Sequence, residues 1–335
     1  MERQHPRLKN NYMEEEKSIE QFPKEENQEN PLKYKVCLKT YKPITDEEIV
    51  LGVSLLGRNH SENKTACQDF HVFSDIGDGW HLYLVADGAG SACASDRGSR
   101  WNCIFTEHLI KGLLNRNDWK FRNKLPSELE WYQEFYAICR QVKYLIEERV
   151  DSIDEPRLPK DFNATLLVLI VTPMGMLTGH IGDGRMGYQD KQGNWHSLMV
   201  PHKGEEINQT IFVMNKWDRI SIPNKKMNGV SVPEVRVIED IPTTVVVLSD
   251  GCENFSWQCL QKNEETGRFE DLNLPFADFW NPCITTVMET NTEERFEKFA
   301  TFIDQNTDEC KQEQDDRTVI MGIYHNYAER ENTPN

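Results

Sequence analysis

The chain of 335 residues has no apolar run long enough to cross a bilayer; its longest, Thr165 to Thr172, falls far short of the roughly 20 residues a spanning helix needs. Its opening residues, MERQHPRLKNN, lack the apolar core of a secretory signal, so none is expected. Nine cysteines are present (Cys37, Cys67, Cys93, Cys103, Cys139, Cys252, Cys259, Cys283 and Cys310), but none forms C-x-x-C and the number is odd. That excludes a zinc knuckle and a disulfide frame, and leaves reduced thiols. Basic residues are outnumbered, 38 against 55 acidic, for a formal net charge of -17. A surface of that sign repels nucleic acid and anionic lipid, so neither is expected as a partner. There is no P-loop, no G-x-G-x-x-G, no C-x5-R loop and no internal repeat. The expectation is a cytoplasmic monomer.

What the chain does have is enough apolar residue, 38%, to fill a substantial core. Residues 1–32 are acidic and amide-rich and read as a flexible tail, although a short helix fits Tyr12 to Gln21. Residues 33–326 read as one domain, and 327–335 as a polar tail. YKVCLKTY and EIVLGVSLLG have strand character, and HVFSDIGDGWHLYLV reads as a hairpin turning at Asp78-Gly79. Trp101, Phe105, Leu109 and Leu113 fall near helical spacing. A second helix begins at Ser127, which makes a capping box with Glu130. NATLLVLIV and TTVVVLSDG are buried strands, and GMLTGHIGDGRMGYQDKQGNWHSL is a meander. Residues 202–240 are polar and read as an insertion or flap; a looser acidic, aromatic stretch runs to about residue 290. A last helix covers Thr292 to Gln305, and TVIMGIY closes the domain. Hairpin-like connections dominate, which makes the fold α+β and not a βαβ alternation.

Three apolar runs stop at the same pair: LYLVADG at Asp87-Gly88, LTGHIGDG at Asp183-Gly184 and VVVLSDG at Asp250-Gly251. A fourth, TVIMGIY, is preceded by Asp315-Asp316. Asp-Gly is a frequent turn pair, and Asp315 lies in an acidic stretch, so each alone is compatible with an ordinary solvated turn. Carboxylates at buried strand ends can also converge on hard cations, and four in one domain suggest a binuclear Mg²⁺ or Mn²⁺ site and phosphate chemistry. Asp183 reads mainly as a hairpin residue, with Arg185 as its partner. Cys252 has no adjacent base and reads as a small buried residue.

Taken in order, CQD, VADGAG, GDGR, LSDG and DDRT resemble the metal-dependent protein phosphatases, the type 2C serine/threonine class, in its bacterial form. The resemblance runs from about Leu51 to Tyr324. It implies a four-layer α-β-β-α sandwich of two mainly antiparallel sheets flanked by helices, and hydrolysis of phosphoserine and phosphothreonine in proteins by a water activated between two Mn²⁺ or Mg²⁺ ions. It implies that Asp87 bridges the ions, that the Gly88 carbonyl binds one, and that Asp250 and Asp315 complete the other. Asp69 would bind directly or orient water, and Asp316 would support the ligands. Gln68 replaces the family's acidic residue before Asp69. Ala89 stands where many eukaryotic members have a His proposed to protonate the leaving alcohol. For phosphate binding, Arg58 lies eleven residues before Asp69 and Lys64 five before it; the Arg fits a bidentate contact better. Two other readings stay open here: an inactive binding or regulatory module that keeps the fold, and a phosphatase of a small metabolite.

Overall fold

Strands that are apolar on both faces need cover on both, and this chain supplies it with a second sheet on one side and helices on the other. The structure is a computed structural model that describes residues 35–45, 48–122, 124–202, 210–219, 232–259, 261–263 and 266–324. In chain order the strands are β1 (Val36–Pro43), β2 (Glu48–Leu55), β3 (Phe70–Gly77), β4 (Trp80–Ala86), β5 (Leu166–Thr172), β6 (Gly175–Ile181), β7 (Arg185–Gln189), β8 (Trp195–Ser197), β9 (Glu234–Ile238), β10 (Thr244–Leu248), β11 (Gln261–Lys262), β12 (Phe269–Glu270) and β13 (Arg317–Tyr324). The helices are α1 (Arg58–Asn63), α2 (Ser95–Arg116), α3 (Glu128–Ser152), α4 (Glu253–Ser256), α5 (Ala277–Glu289), α6 (Arg295–Gln305) and α7 (Asp308–Gln312).

One sheet has six strands in the order β1-β2-β13-β10-β7-β8, and the other has five in the order β3-β4-β5-β6-β9. Every pairing in them is antiparallel. Residues of both meet in one core that includes Val50, Tyr83, Val85, Leu167, Leu169, Met186, Val245, Val247, Ile320 and Tyr324. The Tyr83 and Tyr324 hydroxyls hydrogen-bond to each other across it. Alternation turns the neighbouring residues Leu82, Leu84, Val168 and Ile170 to the opposite face, which α2 and α3 cover. Each such residue, fully buried, contributes about 1.5–3 kcal/mol. On α3, Trp131 Nε1 donates to the Thr178 carbonyl of β6 (2.7 Å). α6 packs near β2 on the six-stranded sheet, with α5 beside it. The four-layer α+β arrangement expected from the sequence is thus the one found.

Local signals account for several boundaries. Asp78 and Gly79 both have left-handed backbones (φ 57° and 74°), which suits the tight β3–β4 hairpin. Ser127 and Glu130 make both bonds of the capping box at the start of α3. No cysteine is in a disulfide. Among the described residues no helix is long and apolar enough to cross a membrane.

Four expectations need correction or delimiting. The segment from Gly175 to Gln189 is not a hairpin: β6 belongs to the five-stranded sheet and β7 to the six-stranded one, so the chain changes sheets at Gly182-Asp183-Gly184. Gly182 has φ 131°, a conformation open to glycine and costly for other residues, and this allows the crossing. Part of the 202–240 stretch is sheet: β9 pairs with β6 at the edge, His180 opposite Glu234. The looser stretch before residue 290 contains α5, with Phe279, Trp280, Cys283 and Val287 buried. The tails at 1–32 and 327–335, and the helix fitted to Tyr12–Gln21, lie outside the described residues.

Candidate active site

Asp87 follows β4, and its backbone is clamped on both sides by Thr165. The Asp87 N–H donates to Thr165 Oγ1 and the Thr165 N–H donates to the Asp87 carbonyl, both at 2.8 Å. The next residue is crossed closely by the Gln68-Asp69 segment. A Cβ on Gly88 would stand 2.6 Å from the Gln68 carbonyl oxygen, so only glycine allows that approach. On the other sheet, Ser249 and Asp250 follow β10. The Ser249 N–H donates to the Thr318 carbonyl (3.0 Å), and the Thr318 N–H donates back to Ser249 Oγ (3.0 Å). That hydroxyl donates to Asp69 Oδ2 (2.7 Å). Ser249 therefore links the acid that leads into β3 with the ends of β10 and β13, bringing together side chains that the sequence separates widely.

The electrostatics report how tightly they gather. Burial, then Asp250, Asp69 and Asp315, push the Asp87 carboxyl well above the ordinary carboxylate range. Asp69 is raised in the same way by burial, then by Asp316, and also by Asp315 and Asp250, against a lowering bond from Ser249. Asp315 is raised to about 6 by burial and Asp250, with the Asp316 amide and His60 pulling down. Each acid raises another because like charges in a desolvated place disfavour ionisation. Among the described residues, none of Asp69, Asp87, Asp250 and Asp315 has a lysine or arginine ion pair. Asp69 is buried, Asp87 and Asp250 are half-buried and Asp315 is at the exposed rim. An oxygen-rich set of this kind without a lysine or arginine partner fits hard divalent cations, which take carboxylate and carbonyl oxygens.

Asp183 joins this group, contrary to the hairpin reading. Its carboxyl is raised to about 7 by burial and then by Asp250, against a bond from Thr210. Arg185 is not its partner. That guanidinium, fully buried, donates through Nε and Nη2 to Glu253 Oε2 (2.9 and 2.8 Å), through Nη2 to Asp271 Oδ2 (2.8 Å) and through Nη1 to Asn273 Oδ1 (2.7 Å). The strand-end Asp-Gly pattern shared with Asp87 and Asp250 was the signal for Asp183. What spacing does not reveal is a sheet change where a hairpin would look the same.

The basic candidates sit on α1, which is fixed to the acid corner. The Gly57 N–H donates to Asp316 Oδ1 (2.7 Å) and the Asn59 N–H donates to the Gln314 carbonyl (3.1 Å). Arg58 is exposed, as is Lys64, which caps the helix with φ 55°. Asp316 itself is buried. Its Oδ2 accepts from the Gln68 amide (2.6 Å) and lies 2.8 Å from His60 Nδ1. It thus ties together α1, the Gln68-Asp69 segment and the start of β13. His60 was missed by sequence reading, because nothing in the spacing of GRNHSENK distinguishes it from a polar loop residue. Cys252 is buried as expected.

A second group with ligand chemistry flanks Gly182, the residue before Asp183. His180, His202 and Glu234 bring one donor atom each within 4.8 Å of the others. His180 Nε2 is bonded to the Val200 carbonyl (3.0 Å), and the Gly182 amide donates to His202 Nδ1 (3.3 Å). With Nδ1 accepting, the neutral His202 ring carries its proton on Nε2, which is the wrong tautomer for a metal at that nitrogen.

A model of the family described as Protein phosphatase 2C matches residues 56–301. This span holds Asp69, Asp87, Asp183 and Asp250, and stops before Asp315. No curated protein matches. Among solved structures the chain is similar to the S. agalactiae serine/threonine phosphatase, with 17% identity over 82% of this chain and 99% of that one and a TM-score of 0.50. It is also similar to a C. elegans sex determining protein, with 14% identity over 82% and 64% of the two chains and a TM-score of 0.50. At such identities the structures speak for the fold, while the family match extends over more than half of the sequence: the chain belongs to the protein phosphatase 2C family.

Proposed function

We propose that this chain, a protein serine/threonine phosphatase by family, removes phosphate from phosphoserine and phosphothreonine with two Mn²⁺ or Mg²⁺ ions held by Asp69, Asp87, the Gly88 carbonyl, Asp250 and Asp315. The observation that carries the reading is the mutual crowding of these carboxylates, each raising the pKa of another without a lysine or arginine partner. Cations there would supply a water of lowered pKa and offset the charge of the phosphate. The chain's own groups prepare the place. Ser249 holds Asp69 by a hydrogen bond, Thr165 fixes the backbone of Asp87, and Asp316 anchors the α1 corner. Arg58 presents a planar fork for the phosphate oxygens, with Lys64 as a second positive charge at the same edge.

The test is phosphate release from phosphothreonine peptides with Mn²⁺, with EDTA as control. Asp87→Asn and Asp250→Asn should each abolish turnover with the fold kept. Activity that survives both substitutions and EDTA would end the reading.

A further inference from the structure

An alcohol leaves phosphorus poorly unless its oxygen receives a proton as the bond breaks. The residue after Asp87-Gly88 is Ala89, buried, with a methyl group that has no proton to give. The carboxylates assigned to the cations are acceptors. One neighbouring group is built as a donor. His60 projects from α1 with Nδ1 2.8 Å from Asp316 Oδ2. Asp316 cannot swing to follow the ring, because its two oxygens also take the Gly57 and Gln68 amides at 2.7 and 2.6 Å. A carboxylate on Nδ1–H sets the orientation of an imidazole and leaves Nε2 as the nitrogen that can pass on a proton. The side chain keeps 16% of its surface open, whereas Asp316 keeps 2%. The ring is near the acids as well, since the Asp316 it bonds directly follows Asp315.

Resting on the phosphatase reading above, we propose that His60, oriented by Asp316, gives the proton to the departing seryl or threonyl oxygen. As water adds its oxygen to phosphorus and loses a proton to solvent, the bond from phosphorus to the alcohol oxygen breaks with its electron pair on that oxygen. The proton on His60 Nε2 moves there, and the neutral ring recovers one from solvent. Asp316 is then a positioning residue.

The same contacts could serve a latch that merely holds α1, and kinetics separate the two roles. With Mn²⁺ present, kcat/KM is measured for wild type, His60→Gln and Asp316→Asn on a phosphothreonine peptide and on p-nitrophenyl phosphate, whose phenolate leaves with little help from a proton. In His60→Gln the peptide-to-aryl ratio should fall about 100-fold; in Asp316→Asn it should fall in the same direction by less. Any misfolded fraction cancels from the ratio. A ratio unchanged in His60→Gln, whether or not both rates drop, overturns the assignment, because a lost latch slows both substrates alike. A wild-type chain inert towards both substrates overturns the phosphatase reading itself, and this assignment with it.

Discussion

Gly57 lies against the backbone of Asp315 so closely that a Cβ there would stand 2.6 Å from the Asp315 carbonyl oxygen. Gly57→Ala must therefore lift α1 from the acid corner and stretch the bond from the Gly57 amide to Asp316. Overpacking of this kind costs about 1–3 kcal/mol. A thermal melt should show a lower Tm, and phosphate release should drop by more than the unfolded fraction explains, since Arg58 and His60 move with the helix.

The crowded carboxylates make a second expectation run against the usual direction for a site mutation. In EDTA, Asp87→Asn should melt a few degrees higher than wild type, because removing one charge relieves its neighbours. Added Mn²⁺ should raise the Tm of wild type and do much less for the variant. Identical melting in EDTA would mean that the acids do not repel one another in solution.

Arg185 tests the turn after Asp250. Its buried guanidinium serves Glu253, Asp271 and Asn273 at once. Arg185→Met leaves two carboxylates without their cation and should cost about 3–5 kcal/mol in urea unfolding. Arg185→Lys should recover only part of that, since one ammonium cannot reproduce the planar fork.

Asp190 gives a pH dependence. Burial alone would raise its carboxyl, but bonds from His196, Asn194 and Gln192 hold it down to about 2. A carboxyl that is lower folded than unfolded stabilises the protein above the unfolded pKa, and the gain disappears as pH falls through the folded value. Wild type should exceed Asp190→Asn by about 2 kcal/mol at pH 6. The gap between their unfolding midpoints should narrow from roughly pH 4 downward; a gap that stays constant to pH 2.5 would contradict the assignment.

Much of this was legible in the chain because the physics is local. Runs such as LLVLIVT and TVVVL are too apolar for any place but the middle of a covered sheet, and Ser127 with Glu130 announces a helix start within four residues. The illegible parts depend on competition between local rules and packing. α5 carries Pro282 inside it, which reads as a helix breaker, yet its buried Phe279, Trp280 and Cys283 hold the helix in place. EVRVI follows Pro233 in a polar stretch, and only the free edge of β6 makes a strand of it. In the site, the acids that end apolar strands were visible. The partners of Asp316 were not, because Gly57, His60 and Gln68 meet it only after folding.

The placement of β13 has a consequence for how the protein comes into being. The strand between β2 and β10 is the last of the described ones, and the acid pair Asp315-Asp316 leads directly into it. A nascent chain emerging from the ribosome can assemble the five-stranded half early, but the six-stranded half has a gap at its centre until residues near 320 arrive. Any fragment that stops short of that insertion has a divided sheet and an unfinished acid set. Synthesis must therefore reach β13 before the acid set can close.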